Sequence, residues 1–433
     1  MNTTENHPSP DIHLNLNVRG LPLSSTLRIN ELSNQLLREG RQVYKMGLGQ
    51  SPFPVPESVQ EELRANAYQK DYLPVMGLRE LRSEVSDYIS RTEGVRYTPD
   101  NVMIGPGSKE LMFILQLVYY GDLVIPTPSW VSYAPQANII GRHIRWLETD
   151  INTNWKLMPM ALEELCRSDA DRPRLIILNY PANPHGCTYS VDELKGIAEI
   201  ARHYKLVLLS DEIYGQLHHE GAHVSIARFY PEGTIISNGI SKWAGAGGWR
   251  LGTFVFPKEL SWLKDAMATV ASETYTSTAA PIQYAAVRAF QGGMDIERYL
   301  MHSRRILKAL GQTLTDRLRT SGVQLVAPKG AFYLFPDFIE YRDKLSEHRI
   351  ITSEDLCKKL LGDTGVAILP GSDFGRSASE LTARLAYVDF DGARSLAAAE
   401  QVPADQPLDE AFLQTNCRNC VEAVDRICDW LEE

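Results

Sequence analysis

The sequence predicts an α/β fold, in which a wide, mostly parallel sheet is covered by helices on both faces and is joined to a smaller α+β domain. From residue 55 to 300, apolar runs of strand length alternate with segments of helical periodicity, and this alternation indicates a parallel sheet. The runs lack polar alternation, which is typical of strands buried on both faces. After residue 300 a long charged helix precedes short, scattered strand-like runs.

The elements follow in chain order. The chain opens with polar residues and two prolines, so residues 1–23 are predicted to be an N-terminal tail. Apolar residues at helical spacing predict a helix at 24–40 that ends at Gly40, and we expect the segment 24–54 to pack with the smaller domain. The large domain follows at 55–300. Its predicted strands are 101–105, 122–126, 174–178, 205–212, 234–239 and 253–256, and its clearest helices are 108–120 and 190–205.

The small C-terminal domain is predicted to span residues 301–433, and the long charged helix at 295–322 leads into it. The stretch 391–410, which contains Pro403 and Pro407, is expected to be an unstructured insertion of roughly 20 residues, a length that is uncommon for loops in compact domains.

Composition restricts the possible functions. The chain has 433 residues, a net charge of −10 and 44% hydrophobic residues, values close to those of soluble globular proteins. It has no long Lys/Arg run and no stretch of the ~18 apolar residues that a membrane span needs, and its first residues lack the basic start and apolar run that are typical of a signal peptide. Its six cysteines are mostly far apart. We therefore expect a soluble, cytoplasmic enzyme without nucleic-acid or membrane partners and without a disulfide framework.

Turns rich in glycine and proline follow two of the predicted strands. The segment GPGSKEL (105–111) opens a helix, where backbone N–H groups can bind an anion and Ser108 can cap the helix while contacting a phosphate. The segment LNYPANPHG (178–186) fixes the backbone around Asn183, so that its amide can point into a cleft. Taken alone, each segment is more often an ordinary turn.

Charged residues stand at the ends of two further strands. Asp211 ends KLVLLSD, where a carboxylate is costly unless a cation pairs with it; a structural ion pair or a helix cap is the alternative. Lys242 follows TIISNG, with Arg250 shortly after it. A lysine near a low-dielectric sheet end loses its proton readily, which suits an amine that forms an imine. Taken alone, it would more often be a solvated surface group.

In this order the Gly-rich turn and the Asn, Asp, Lys and Arg residues resemble the class I/II aminotransferases, fold type I enzymes that use pyridoxal 5′-phosphate. The matching motifs are N-P-x-G (183–186), D-E-x-Y (211–214) and S-K-x6-W-R-x-G (241–252). The resemblance extends from about Gly47 to the last helix and implies the fold, the cofactor and an aminotransferase activity.

The resemblance implies roles for four residues around the cofactor ring. Lys242 would bind the cofactor covalently, and its amine, once displaced by substrate, would move a proton between the substrate Cα and the cofactor. Asp211 would pair with the pyridine nitrogen. Asn183 and Tyr214 would hydrogen-bond the phenolic oxygen. Lys242, Asp211 and Tyr214 are thus the expected catalytic residues.

Further residues match the family's contacts to the phosphate and to the ring face. Arg250 would clamp the phosphate beside Gly107, Ser108 and Lys109. Trp130, in PSWVSY, would stack on the pyridine ring; a plain core tryptophan is the alternative.

Substrate binding and assembly are implied in the same way. Arg384, in TARLAYV, would bind the substrate α-carboxylate, since guanidinium geometry suits a planar carboxylate. Gly49 and Asn183 would line the carboxylate side. Tyr72, in YLPVMG, would reach the phosphate of the neighbouring subunit, which implies a homodimer with shared active sites; a packing residue is the alternative.

Some positions depart from the family pattern. Gly239 stands where the family often has a phosphate-binding serine. In one bacterial aspartate aminotransferase subgroup, a lysine in the Gly-rich turn recognises the distal carboxylate of the substrate; here Ser108 aligns with it and Lys109 follows. Cys417 and Cys420 form a CxxC pair without a second ligand pair, and no metal site is predicted.

The predicted reaction transfers the amino group of an L-amino acid, of aspartate, alanine or aromatic type, to a 2-oxo acid by a ping-pong route. The expected acceptor is 2-oxoglutarate. A carbon–sulfur β-lyase on the same fold stays open as an alternative, because it also starts with loss of the Cα proton. An acyl-transferring synthase, a racemase and a cofactor-binding regulator agree less well with the sequence.

Overall fold

The fold is organised around a seven-stranded sheet, seen in a computed structural model that describes residues 13–433. The strands are β1 (Tyr44–Lys45), β2 (Val102–Gly105), β3 (Asp122–Thr127), β4 (Ile144–Glu148), β5 (Arg174–Asn179), β6 (Val207–Asp211), β7 (Thr234–Gly239), β8 (Gly252–Val255), β9 (Tyr333–Leu334), β10 (Val366–Ala367), β11 (Leu369–Pro370) and β12 (Ala383–Ala386).

The helices surround this sheet and build most of the C-terminal part. They are α1 (Ser25–Arg38), α2 (Glu57–Asn66), α3 (Arg79–Glu93), α4 (Ser108–Val118), α5 (Tyr133–Ile139), α6 (Pro159–Arg167), α7 (Val191–His203), α8 (Ser261–Glu273), α9 (Ala280–Gln291), α10 (Met294–Thr320), α11 (Arg342–Glu347), α12 (Ser353–Thr364), α13 (Gly392–Glu400), α14 (Glu410–Asn416) and α15 (Arg418–Glu432).

The large sheet has the order β2-β8-β7-β6-β5-β3-β4, and β8 runs in the direction opposite to the other six strands. Successive residues of β5 enter different cores. Ile177 packs in the core that contains α4 and α8, whereas Ile176 packs in the core that contains α6 and α7. The strands are therefore apolar on both faces because helices cover both. The predicted fold class is confirmed.

Strand β4 was not predicted. It lies at the sheet edge, where β3 is its single neighbour, and its side chains are half-buried or exposed. An edge strand tolerates charged residues such as those in IRWLE, so it carries no continuous apolar run.

The C-terminal part contains a three-stranded antiparallel sheet of order β11-β12-β9. Strand β1 pairs with β10 in parallel, which brings the segment after α1 to this part of the molecule. The predicted domain boundary at residue 300 falls inside α10, and the boundaries at 23, 54 and 300 stay predictions. Residues 1–12 of the predicted tail lie outside the described residues.

The prediction of an unstructured insertion at 391–410 was wrong. Its first half forms α13, which Asp391 caps by accepting a hydrogen bond from the Arg394 N–H at 3.0 Å. The alanine-rich sequence GARSLAAAE favours a helix, and the two prolines that suggested a loop come after it. The Arg305 guanidinium donates to the carbonyl of residue 399 in the last turn of α13 and to the carbonyls of residues 402, 403 and 406 beyond it, which fixes the remaining backbone.

Among residues 13–433, no helix is long and apolar enough to cross a membrane. Within the same range, no three His, Cys, Asp or Glu side chains are grouped so that they could hold a metal ion.

Candidate active site

A cavity of about 480 Å³ opens at the edge of the large sheet where the parallel strands end. It is lined by nine of the residues that the sequence predicted for the site: Gly49, Ser108, Lys109, Trp130, Asn183, Asp211, Tyr214, Lys242 and Arg250. Open α/β sheets bind their ligands at this edge.

Lys242 lies in the loop that follows β7. Its Nζ donates a hydrogen bond to the Gly49 carbonyl at 2.6 Å. Burial first, and then the positive charges of Arg384 and Arg250, lower the pKa of this amine from 10.5 to about 7. A large share of the amine is therefore neutral, and nucleophilic, near neutral pH.

Asp211 is the last residue of β6 and is buried. Its carboxylate accepts hydrogen bonds from the Tyr133 hydroxyl at 2.6 Å and from the Ser237 hydroxyl at 3.3 Å. Burial raises its pKa to about 6 against these hydrogen bonds, which lower it. It makes no ion pair with any residue in the described part of the chain, so a cationic group of a ligand can pair with it.

The neighbouring acid in the D-E-x-Y motif is engaged elsewhere. Glu212 faces His223, with 2.9 Å between Oε2 and Nε2, and accepts hydrogen bonds from the hydroxyls of Ser210 and Ser225. This contact with Glu212 raises the pKa of His223 against the effect of burial. Glu212 thus serves a buried polar network and not the cavity.

Arg384, on β12, is buried to 1% exposure. Its guanidinium donates to the Asn183 side-chain oxygen at 3.1 Å and to the Gly47 carbonyl. It lies over the rings of Tyr333 and Phe374 at 4.9 and 5.0 Å, and its Nε has no hydrogen-bond partner. A buried guanidinium with an unused donor is suited to a carboxylate ligand.

An anion-binding cup forms where β2 leads into α4. Gly107 has φ 90°, and a Cβ at this position would lie 2.2 Å from the Arg250 guanidinium, so a side chain would fill the cup. The first turn of α4 and Arg250 together suit a phosphate. The expected capping role of Ser108 was wrong: Gly107 is the cap residue and Ser108 begins the helix, because only glycine adopts this backbone conformation readily.

Lys109 and Trp130 form an adjoining part of the wall. The Lys109 Nζ lies 5.2 Å from the centre of the Trp130 ring, and burial, followed by the charge of Arg250, lowers the pKa of Lys109. Trp130 meets Tyr133 edge to face at 5.3 Å. The wall thus offers a cation and an aromatic face side by side.

Tyr72 is the one predicted site residue that the single chain does not bring near the others. It is 90% exposed and does not line the cavity. Its predicted contact with a neighbouring subunit stays a prediction.

The structure adds site residues that the motifs did not indicate. Tyr133 hydrogen-bonds Asp211, and Tyr333 hydrogen-bonds the Tyr214 hydroxyl at 2.6 Å. Leu27 of α1 lines the cavity as well. Tyr133 could have been found, since it lies in PSWVSY beside Trp130, but nothing in the sequence distinguishes Tyr333 from other core aromatics.

Comparisons with known proteins agree with this geometry. The family model for aminotransferase class I and II matches residues 41–390. An aspartate aminotransferase of Geobacillus stearothermophilus is 33% identical over 368 residues, which cover 83% of this chain and 91% of the relative. An aspartate/prephenate aminotransferase of Thermus thermophilus is 30% identical, with 83% and 91% covered. The structure of Thermus thermophilus aspartate aminotransferase with maleate superposes with a TM-score of 0.81 at 27% identity, covering 97% of this chain and 100% of that one.

Proposed function

Since this chain belongs to the class I and II aminotransferases and is a pyridoxal 5′-phosphate-dependent enzyme, we propose that it moves the amino group of an L-amino acid of aspartate, alanine or aromatic type to 2-oxoglutarate by a ping-pong route. The observation that carries the proposal is the common cavity of Lys242, Asp211 and Arg250. These residues supply an amine, an acid and an anion clamp.

The residues on the wall fit the cofactor's chemical groups. Arg250, Gly107 and the first turn of α4 suit the phosphate. Asp211, buried and without an ion pair among the described residues, suits a pyridine nitrogen that must stay protonated. Tyr214 and Asn183 can hydrogen-bond the phenolic oxygen. When bound, the cofactor supplies an acceptor for the electron pair that remains at Cα after its proton leaves.

Lys242 is proposed to bind the cofactor covalently and then to act as the base. Its lowered pKa, about 7, would let the free amine Nζ take the proton from the substrate Cα and hold it for the next transfer. The Gly49 carbonyl, which accepts a hydrogen bond from Nζ, holds the amine in the cavity.

Arg384 and Asn183 are proposed to bind the substrate α-carboxylate. The hydrogen bond between them at 3.1 Å orients the guanidinium, and its unpartnered Nε marks the unused binding capacity. Every α-amino acid has an α-carboxylate that can make this contact. The contact therefore fixes the orientation of the substrate but does not select its side chain.

Lys109 is the proposed partner for the distal carboxylate of 2-oxoglutarate or aspartate. It lines the cavity, and its amine has no ion pair with any residue of the described chain. A second carboxylate left unpaired in a closed site would be costly.

The working enzyme is proposed to be a cytoplasmic homodimer with shared active sites. Tyr72 and the nearby Tyr68 are 90% and 74% exposed, which suits aromatic side chains that a second subunit covers. All six cysteines are unpaired, as expected in a reducing compartment.

The test is a half-reaction screen. Each amino acid is added to the loaded enzyme while the cofactor's visible absorbance is followed, and 2-oxo acids are then added to restore it. We expect 2-oxoglutarate to restore the band, and Lys109→Ala to lower kcat/KM for dicarboxylates by roughly tenfold or more while sparing alanine. Lys264→Ala, outside the cavity, is the control.

Turnover of pyruvate and oxaloacetate with no response to 2-oxoglutarate would refute the proposal that 2-oxoglutarate is the acceptor. Release of pyruvate and ammonia from a cysteine conjugate, without an added oxo acid, would favour the β-lyase.

A further inference from the structure

Tyr333 lies at the meeting point of three parts of the site. It is buried to 1% exposure on β9. Its hydroxyl is 2.6 Å from that of Tyr214, and its ring lies under the Arg384 guanidinium at 4.9 Å. A Cβ on Gly49 would come within 2.0 Å of the Tyr333 hydroxyl, so the Gly49 backbone, which holds Lys242, packs directly against it.

The hydrogen bond between the two tyrosines has a direction once a ligand is bound. A phenol has one proton to donate. If Tyr214 donates to an oxygen in the cavity, the proton between the two hydroxyls must come from Tyr333. Tyr214 is the only hydrogen-bond partner of the Tyr333 hydroxyl within residues 13–433, so nothing else in that range competes for it.

Arg384 places a positive charge beside the hydrogen-bonded pair of Tyr333 and Tyr214. A cation over the ring makes the Tyr333 hydroxyl a better donor, because the positive charge favours electron withdrawal from oxygen. A carboxylate bound to Arg384 cancels part of that charge and weakens the donation. The other titratable groups whose charges act here are Asp373, which acts on Arg384, Tyr387, which interacts with Tyr333, and Lys109, Arg250 and Asp211, which act on Lys242.

We propose that Tyr333 is a positioning residue that links carboxylate binding at Arg384 to the strength of the hydrogen bond that Tyr214 donates into the cavity. The inference rests on the proposed function, because it takes Tyr214 as the donor to the cofactor's phenolic oxygen. With weaker donation, more negative charge stays on that oxygen beside the protonated nitrogen of the Lys242 link. This nitrogen then keeps its proton to higher pH.

The experiment is a pH titration of the cofactor's visible absorbance in the loaded enzyme, with and without maleate, an unreactive dicarboxylate. In the unaltered enzyme maleate should raise the midpoint. Tyr333→Phe keeps the ring under Arg384 and removes the hydroxyl. It should raise the midpoint without maleate by roughly half a pH unit and reduce the further rise that maleate causes by about half.

Tyr387→Phe is the matched control. It removes a buried hydroxyl near the same strands, whose contact is the Ala331 carbonyl at 3.4 Å, and it should leave both midpoints unchanged. In a Tyr214→Phe background, Tyr333→Phe should not change either midpoint further, because the effect of the Tyr333 hydroxyl passes through Tyr214.

An unchanged midpoint and an unchanged maleate response in Tyr333→Phe would overturn the proposal, and so would additive effects in the double variant. A Tyr333→Phe chain that fails to fold would assign the hydroxyl to stability and overturn it equally. An unaltered enzyme whose band responds neither to pH nor to maleate would overturn this inference, whereas the half-reaction screen decides the proposed function.

Discussion

Replacing Arg384 by glutamine should raise the pKa of the Lys242 amine. Among the charges that act on Lys242, that of Arg384 has the largest effect, and only burial lowers the pKa of the Lys242 amine more. Glutamine keeps a side-chain donor near Asn183 but removes the positive charge. The substitution therefore separates the effect of charge from the effect of burial.

The structure sets the size of the effect. A pKa of about 7 instead of 10.5 leaves about half of the amine neutral at pH 7, against roughly 1 in 3,000 for an ordinary lysine. Loss of a neighbouring unit charge should raise the pKa by about one unit. The neutral fraction at pH 7 would then fall to about one tenth, which is a loss of about fivefold.

The assay is the rate at which the apo-protein captures pyridoxal 5′-phosphate, followed by absorbance from acidic to alkaline pH. Only the neutral amine reacts, so the rate should rise with pH, with a midpoint near 7 in the unaltered chain and about one unit higher in Arg384→Gln. Lys242→Ala gives the background rate.

Arg174→Gln is the matched control, since Arg174 is equally buried but bonds to the carbonyls of Arg172 and Asp169, away from the cavity. An unaltered chain with a midpoint near that of free lysine would refute the reasoning. So would an Arg384→Gln midpoint equal to that of the control.

Two other predictions concern stability and assembly. The pKa of Asp211 is 3.8 ordinarily and about 6 in the fold, so the unfolded chain loses this proton first as pH rises. Folding stability therefore falls between about pH 4 and pH 6, by up to ~3 kcal/mol. Apo Asp211→Asn should therefore unfold at a higher temperature than the apo parent at pH 8 but not at pH 4; calorimetry showing no difference at pH 8 would contradict this. If Tyr72 serves the partner's site, inactive Tyr72→Phe and Arg384→Ala chains should regain activity after subunit exchange, because one site of each heterodimer carries neither change; demonstrated heterodimers without activity would indicate that each site is built from one chain.

The sequence could predict the cavity residues that follow apolar strands. Asp211 ends β6 and Lys242 follows β7, and parallel strands bring their carboxyl ends to one edge. The local pattern therefore made them candidates, and the resemblance to the aminotransferase motifs selected them.

Contacts that depend on distant packing could not be predicted in this way. Tyr133 reaches Asp211 across 78 residues of chain, and Tyr333 reaches Tyr214 across 119. Neither contact is determined by the residue's own strand or helix; each depends on how elements far apart in the sequence pack together. Arg305 is a similar case, since its sequence context within α10 does not indicate that it donates to carbonyls at the end of α13 and beyond it.

The long stretch of chain between β2 and β8 leads us to expect that the anion-binding cup forms late in folding. Gly105 and Gly252 are register partners although 147 residues (252 − 105) separate them, and closing so long a loop is slow because its entropy must be spent before the contacts form. A nascent chain that has not yet added β8 can assemble the parallel strands but has no Arg250 to place beside Gly107. We therefore expect the cofactor's phosphate to stabilise the folded chain only after β8 has docked.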